Sequence, residues 1–185
     1  MRKTENNILY ILRLALTLLA ITAVVAAALA GVNSITKPVI DNLTAQKTQQ
    51  AIKAVLPGGY DREISDYNDT TGLVSRVYAG ANGYAFEVTP GGFDNIITMM
   101  VGVDHDGKVV GISIVSHTET AGLGAVAAAA TPAGDHFRNQ FVGRSGTVAV
   151  SKDGGQLDAI TGATITSRAV CEGVNAALAC ADALD

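Results

Sequence analysis

The residues best suited to chemistry lie in one short segment near the C-terminus, residues 158–164, which read DAITGAT. Residues 165–184 follow with an amphipathic pattern typical of a helix, so Thr164 is expected at the start of that helix. Unpaired N–H groups and the helix dipole favour a phosphate there, and Gly162 and Ala163 leave room for a bulky group. An ordinary threonine cap after a glycine turn explains the same residues, and the pattern alone favours that simpler interpretation.

A second segment, residues 117–124, reads HTETAGLG and directly follows a predicted strand. One interpretation is that Glu119 accepts hydrogen bonds from the amide groups of a ligand and that Leu123 packs on an aromatic ring. A solvated acid in a surface loop is the alternative, and taken alone this segment favours it.

Residues of metal-binding type are few. His105 lies in the segment DHDG between two apolar runs, and this pattern predicts a hairpin turn instead of a metal site. Cys171 and Cys180 are nine residues apart on the predicted last helix, too far to form a disulfide with each other at about 1.5 Å per residue. We interpret both as packing residues; an iron–sulfur cluster shared with another chain is the alternative. No metal is predicted.

The elements that must position these segments are mainly strands. Apolar, β-branched runs separated by glycine-rich turns predict strands at residues 73–79, 84–88, 95–103, 109–115 and 147–151. Short helices are predicted at residues 125–130 and 135–142, residues 61–71 are predicted to form a loop, and the last helix closes the chain. Strands with helices at the flanks predict an α+β fold with a mostly antiparallel sheet.

The N-terminus predicts a membrane anchor. Residues 14–36 hold no charge, and a helix of that length crosses a bilayer core of about 30 Å. Arg2, Lys3 and Arg13 precede this stretch, whereas acids outnumber bases after it, so we expect the N-terminus in the cytoplasm and the remainder outside. A cleaved signal peptide ending near Ala30 is the alternative, and the length of the apolar run favours a retained anchor.

The composition excludes several classes of protein. The chain has 185 residues, of which 48% are hydrophobic and 16% charged, which excludes a disordered protein. Two cysteines exclude a disulfide scaffold, and a net charge of −4 without tryptophan argues against nucleic-acid binding. We expect three segments: an N-terminus and anchor at 1–36, a stalk helix at 37–59 beginning near Pro38, and a domain at 60–185.

The two chemical segments together resemble a known family. Residues 161–164, with Asp158 three residues upstream, resemble the flavinylation motif D-x-x-(S/T)-G-A-(S/T), and residues 117–124 resemble the H-x-E-T-P-G-L-G loop of FMN-binding domains. With one N-terminal span and this length, the chain is similar to the RnfG family, the G subunits of Rnf electron-transport complexes. The NqrC subunits of sodium-pumping NADH:quinone reductases are near relatives, with typically longer chains.

The resemblance implies a covalent cofactor. An FMN transferase would link FMN through its phosphate to Thr164. The turn around the phosphate would be shaped by Thr161, Gly162 and Ala163. The isoalloxazine would be lined by Glu119, Thr120, Gly122 and Leu123. Position 121 is Ala where the family usually has Pro.

The function that the resemblance implies is electron transfer. The chain would pass electrons between neighbouring subunits of a six-subunit membrane complex that couples ferredoxin oxidation and NAD reduction to Na⁺ or H⁺ translocation. It would contact membrane lipid, bind no nucleic acid and have no catalytic substrate site of its own. The alternatives are a stand-alone extracytoplasmic flavin reductase and a non-redox extracytoplasmic binding or scaffold domain.

Overall fold

A computed structural model describes the backbone of residues 2–184 and the side chains of residues 9–184. The helices are α1 (Arg2–Val55), α2 (Pro132–Asn139) and α3 (Thr164–Asp182), with 3₁₀ helices at Gly124–Ala128 and Ser151–Asp153. The strands are β1 (Arg62–Ile64), β2 (Val74–Gly80), β3 (Gly83–Val88), β4 (Thr98–Val103) and β5 (Val109–Ser116). The chain forms two compact units, Met1–Ala45 and Gln46–Asp185.

The first unit is the apolar part of α1. From Leu9 to Leu43 the large apolar side chains are more than half exposed, and α1 is long and apolar enough to cross a membrane. Apolar side chains exposed in this way are typical of a helix surrounded by lipid, because water would not tolerate such a surface. The helix continues through Pro38, where the sequence predicted a separate stalk helix to begin; the segment boundaries at residues 36 and 59 stay a prediction.

The second unit is built on one antiparallel sheet, in which the strands follow chain order from β1 to β5. Each strand pairs with the next one along the chain, with Phe86 opposite Val101 and Val101 opposite Ile112. The connections at residues 81–82 and 104–108 are tight turns, and a chain that turns back at once pairs antiparallel with its predecessor. The sheet and its flanking helices confirm the predicted α+β class.

Helices cover both faces of the sheet. On one face Val77, Phe86 and Val101 pack with apolar side chains of α3, including Val170 and Val174. On the other face the end of α1 packs through Ile52 and Val55 against a cluster with Tyr78, Ala85 and Met100. Neighbouring positions on a strand point to opposite faces, so β4 is buried along nearly its whole length.

Two local predictions were wrong. Residues 147–151 do not form a strand: Val150 makes one isolated bridge with Leu157, and the main chain of Val148 is hydrogen bonded by the side chain of Asn175 at 2.8 and 2.9 Å. At Val148 the side-chain amide of Asn175 therefore makes the hydrogen bonds that a partner strand would make. Residues 61–71 are not all loop, since β1 pairs there with β2.

Candidate functional site

The first turn of α3 borders a cavity of about 290 Å³, which we call the Thr164 cavity. Four separate stretches of chain line it: the loop before β4, residues 119–124, the Ser151–Asp153 helix and the start of α3. Its lining comprises Phe93, Glu119, Thr120, Leu123, Gly124, Lys152, Gly162, Ala163, Thr164, Ile165 and Thr166. The two segments that the sequence singled out therefore meet at one place.

Thr164 is the first residue of α3 and is partly buried. The capping position belongs to Ala163, and among the described residues no side chain caps this end of the helix. The threonine cap that the sequence favoured is therefore not formed. The N–H groups of the first turn keep their capacity to bind an anion, because a helix supplies no internal acceptors for them.

The turn before α3 depends on Gly162. Its φ of 76° lies in the left-handed region, which favours glycine. The N–H of Ala163 closes the turn by donating to the carbonyl of Ile160 at 2.9 Å. A Cβ at Gly162 would lie 3.0 Å from Cδ2 of Leu123, so this glycine also lets Leu123 approach the turn.

Glu119 is a buried carboxylate, 7% exposed. Its Oε1 accepts a hydrogen bond from the N–H of Phe93 at 2.8 Å, and its Oε2 accepts one from the hydroxyl of Thr166 at 2.5 Å. A Cβ at either Gly92 or Gly124 would overlap with this carboxylate. Glu119 thus ties the loop before β4 to the first turn of α3, in addition to lining the cavity.

Apolar side chains form the exposed wall of the Thr164 cavity. Phe93, Leu123 and Ile165 line it and remain 64%, 42% and 50% exposed, respectively. Side chains of this size seldom stay in water as a group unless a ligand or partner covers them. The wall therefore offers a surface on which a flat aromatic ring can pack.

Two of the residues that the sequence grouped with this site do not line the Thr164 cavity itself. Gly122 and Thr161 border a neighbouring cavity of about 320 Å³, together with Asp158 of the same motif. The structure brings the remaining residues together around Thr164: Gly162, Ala163, Glu119, Thr120 and Leu123.

Phe93 and Lys152 also line the cavity, and neither belongs to a motif that the sequence singled out. The ammonium of Lys152 donates to the Thr164 hydroxyl at 3.2 Å. Each residue lies beside a glycine pair, Phe93 after Gly91-Gly92 and Lys152 shortly before Gly154-Gly155. Tight turns that carry a large or charged side chain were the available signal.

The other chemically distinctive residues have structural surroundings. Asp104 accepts hydrogen bonds from the N–H groups of Asp106 and Lys108, which shapes the predicted hairpin. Cys171 and Cys180 are buried, and this burial raises the pKa of each thiol to about 11. Among the side chains that the structure describes, no three of His, Cys, Asp and Glu form a metal-binding group.

The residues present fit an FMN group. Its ring requires apolar walls, which Phe93, Leu123 and Ile165 provide; its phosphate requires N–H donors and a cation, which the first turn of α3 and Lys152 provide. The cavity is at the small end of ligand sites, which span about 300–1,000 Å³, so a flavin here would be only partly enclosed.

Fold and site thus define a class: a protein with an apolar N-terminal helix and an FMN-binding domain. A family model described as FMN-binding domain matches residues 92–179, which include both segments of the site. Among curated relatives, the G subunit of the ion-translocating oxidoreductase complex of Methanosarcina acetivorans is 33% identical over 91% of this chain and 93% of its own. The G subunit of the Na⁺-translocating ferredoxin:NAD⁺ oxidoreductase complex of Acetobacterium woodii is 32% identical over 89% and 88%.

A third relative, the G subunit of the ion-translocating oxidoreductase complex of Photorhabdus laumondii, is 35% identical over 86% of this chain and 84% of its own. The chain belongs to the family of G subunits of ion-translocating oxidoreductase complexes. Membership confirms the predicted family, the redox character of the subunit and FMN as the cofactor of its domain. Family membership and the apolar helix together support the prediction that the chain is a membrane protein.

Proposed function

We propose that this chain is the electron-carrier subunit of an Rnf-type complex and carries one FMN covalently on Thr164. The observation that supports this most strongly is the position of the Thr164 hydroxyl. It lies at an uncapped helix N-terminus, beside an ammonium group and an apolar wall, within a matched FMN-binding domain.

The linkage that we propose is a phosphoester. Thr164 Oγ1 would attack the phosphorus of an FMN phosphoanhydride held by an FMN transferase. The bond from phosphorus to the donor's leaving phosphate would break as the new ester bond forms, and the hydroxyl proton would pass to that leaving group. The product equals chain plus FMN minus water. The resulting diester keeps one negative charge, which the N–H groups of the first turn of α3 stabilise. Permanent attachment suits a domain outside the cytoplasm, where lost FMN is not readily replaced.

Each side chain of the site would then have a physical task. Phe93, Leu123 and Ile165 would bury one face of the ring, while Glu119 holds the loop and the helix in register through its two hydrogen bonds. When bound, FMN supplies the electron-transfer chemistry, and the protein controls its position and exposure. An open cavity leaves part of the ring accessible to a neighbouring redox centre.

The reaction of the whole complex follows from the relatives. The Acetobacterium relative is named as part of a Na⁺-translocating ferredoxin:NAD⁺ oxidoreductase complex. We propose that this chain occupies the same position in a six-subunit membrane complex, where electrons pass through its FMN between neighbouring subunits. The coupling ion would be Na⁺ or H⁺.

The proposed membrane topology has one span. Residues 14–36 would contact lipid, with Arg2, Lys3 and Arg13 on the cytoplasmic side. The FMN-binding domain, residues 60–185, would lie outside the cytoplasm. The FMN transferase would therefore act there as well.

Mass spectrometry of the denatured full-length chain tests the attachment. After co-expression with an active FMN transferase, we expect a mass increase of one FMN minus one water. Thr164→Ala should abolish this increase because it removes the attacking hydroxyl, whereas Thr164→Ser, the matched control, should retain it. An unmodified wild-type chain, or a mass increase that persists in Thr164→Ala, would contradict the proposal.

A further inference from the structure

Among the described residues that line the Thr164 cavity, Lys152 carries the positive charge. Its ammonium donates to the Thr164 hydroxyl at 3.2 Å, although the two residues belong to different elements. Of the ionisable groups that line this cavity, the other is Glu119, whose oxygens already accept hydrogen bonds from Phe93 and Thr166. Lys152 is therefore the side chain of this cavity that can form an ion pair with a negatively charged group on Thr164.

Two contacts hold the segment around Lys152 against α3. On the N-terminal side, the Asn175 side chain binds both the N–H and the carbonyl of Val148. On the C-terminal side, the Arg168 guanidinium donates to both oxygens of Asp153 at 2.6 Å. Both contacts reach the helix that begins with Thr164, so Lys152 is positioned relative to the hydroxyl by the fold.

The same contacts leave the charge of Lys152 available. Asp153, its neighbour in sequence, is bound by Arg168, and these hydrogen bonds, with a smaller contribution from the charge of Lys152, hold the pKa of Asp153 below its ordinary value. Lys152 takes part in none of the ion pairs found among the described side chains. Arg168 is one helical turn beyond Thr164, but its guanidinium is already engaged.

We propose that Lys152 is the phosphate-binding residue of this site and pairs with the free oxygen of the phosphodiester on Thr164. The inference rests on the proposed attachment of FMN to Thr164. When the hydroxyl loses its proton, the hydrogen bond from Lys152 can pass to a phosphate oxygen without a change of backbone. Ammonium and helix N–H groups then bind the diester from two directions.

The variants Lys152→Met and Lys152→Arg test this in the full-length, flavinylated chain. Lys108→Met is the matched control, since Lys108 is an exposed lysine in the β4–β5 turn. The phosphorus NMR signal of the diester reports directly on its surroundings. In the wild type, in Lys152→Arg and in Lys108→Met, we expect this signal to move with added salt, because salt screens an exposed ion pair.

In Lys152→Met we expect the signal to be displaced in low salt and nearly insensitive to salt. Loading with FMN should raise the thermal midpoint less in Lys152→Met than in the wild type, while the two unloaded chains unfold alike. We also expect FMN incorporation by the transferase to slow roughly two- to fivefold in Lys152→Met, the range of an exposed ion pair.

The possible failures are distinct. A wild-type chain without covalent FMN would overturn the proposed function, and with it this inference. A flavinylated wild type whose phosphorus signal and salt response match those of Lys152→Met would overturn the role of Lys152 alone. Failure of Lys152→Arg to restore the salt response would also overturn it, because the guanidinium keeps the charge.

Discussion

A single residue, Glu119, connects the loop before β4 to the first turn of α3. Glu119 comes from the loop after β5, yet its carboxylate binds the N–H of Phe93 and the hydroxyl of Thr166. Gly92 and Gly124 make room for it, since a Cβ at either position would overlap with its oxygens. A buried carboxylate is tolerated because strong donors replace the water that it loses.

Glu119→Ala should therefore destabilise the chain. The change leaves Phe93 and Thr166 without their acceptor, and we expect the free energy of unfolding to fall by about 2–3 kcal/mol. Glu119→Gln should cost about 1 kcal/mol. The amide oxygen still accepts from the N–H of Phe93, and the amide NH2 group donates to the Thr166 hydroxyl instead of accepting from it. Urea denaturation of the detergent-solubilised full chain, followed by circular dichroism, measures both.

The control is Glu172→Ala on the exposed side of α3, which should change stability by less than about 0.5 kcal/mol. Equal losses in Glu119→Ala and Glu172→Ala would show that the buried hydrogen bonds of Glu119 do not hold the site together.

At the scale of elements, the sheet is the platform that α1 and α3 share. The end of α1 lies so close to β4 that a Cβ at Gly102 would overlap with the backbone of Val55. Gly111 is the cross-strand partner of Gly102 on β5, and a Cβ there would lie 3.9 Å from the nearest atoms, an ordinary contact. The two glycines thus sit side by side with different steric surroundings.

Gly102→Ala should force the end of α1 away from the sheet. We expect a loss of about 1–3 kcal/mol in the free energy of unfolding, as for other overpacked cores. Gly111→Ala, the matched control, should change it by less than about 0.5 kcal/mol. Thermal or urea unfolding of the full chain compares them, and similar values for both variants would refute this close packing of α1 on β4.

At the scale of the whole molecule, charge and apolar length act together. The bases Arg2, Lys3 and Arg13 precede the uncharged stretch, and acidic residues predominate in the FMN-binding domain. Moving lysine and arginine across a membrane is disfavoured during insertion. This charge distribution therefore favours the proposed topology, in which the N-terminus is cytoplasmic and one retained span precedes the domain.

A periplasmic alkaline phosphatase fused after residue 185 should be active in a bacterial host, because that enzyme folds only outside the cytoplasm. The same fusion without residues 14–36 should be inactive, since nothing then directs it across the membrane. A green fluorescent protein in place of the phosphatase should stay dark when exported. Bright fluorescence with an inactive phosphatase would reverse the proposed orientation.

The sequence by itself determined the local features of this protein. The apolar anchor, four of the strands, the last helix and the DAITGAT motif at its start were all legible, because each depends on residues close together in the chain. The family resemblance rested on two such local motifs, and the comparisons confirmed it.

Tertiary structure decided which of these local features face one another. Contacts between distant segments place Lys152 and Phe93 in the lining of the Thr164 cavity. Gly122 and Thr161 line the neighbouring cavity instead. Residues 147–151 do not form the predicted strand, and at Val148 the distant Asn175 side chain makes the hydrogen bonds that a partner strand would make. Hydrogen bonds and packing between residues far apart in the chain have no local signature, so only the folded chain shows them.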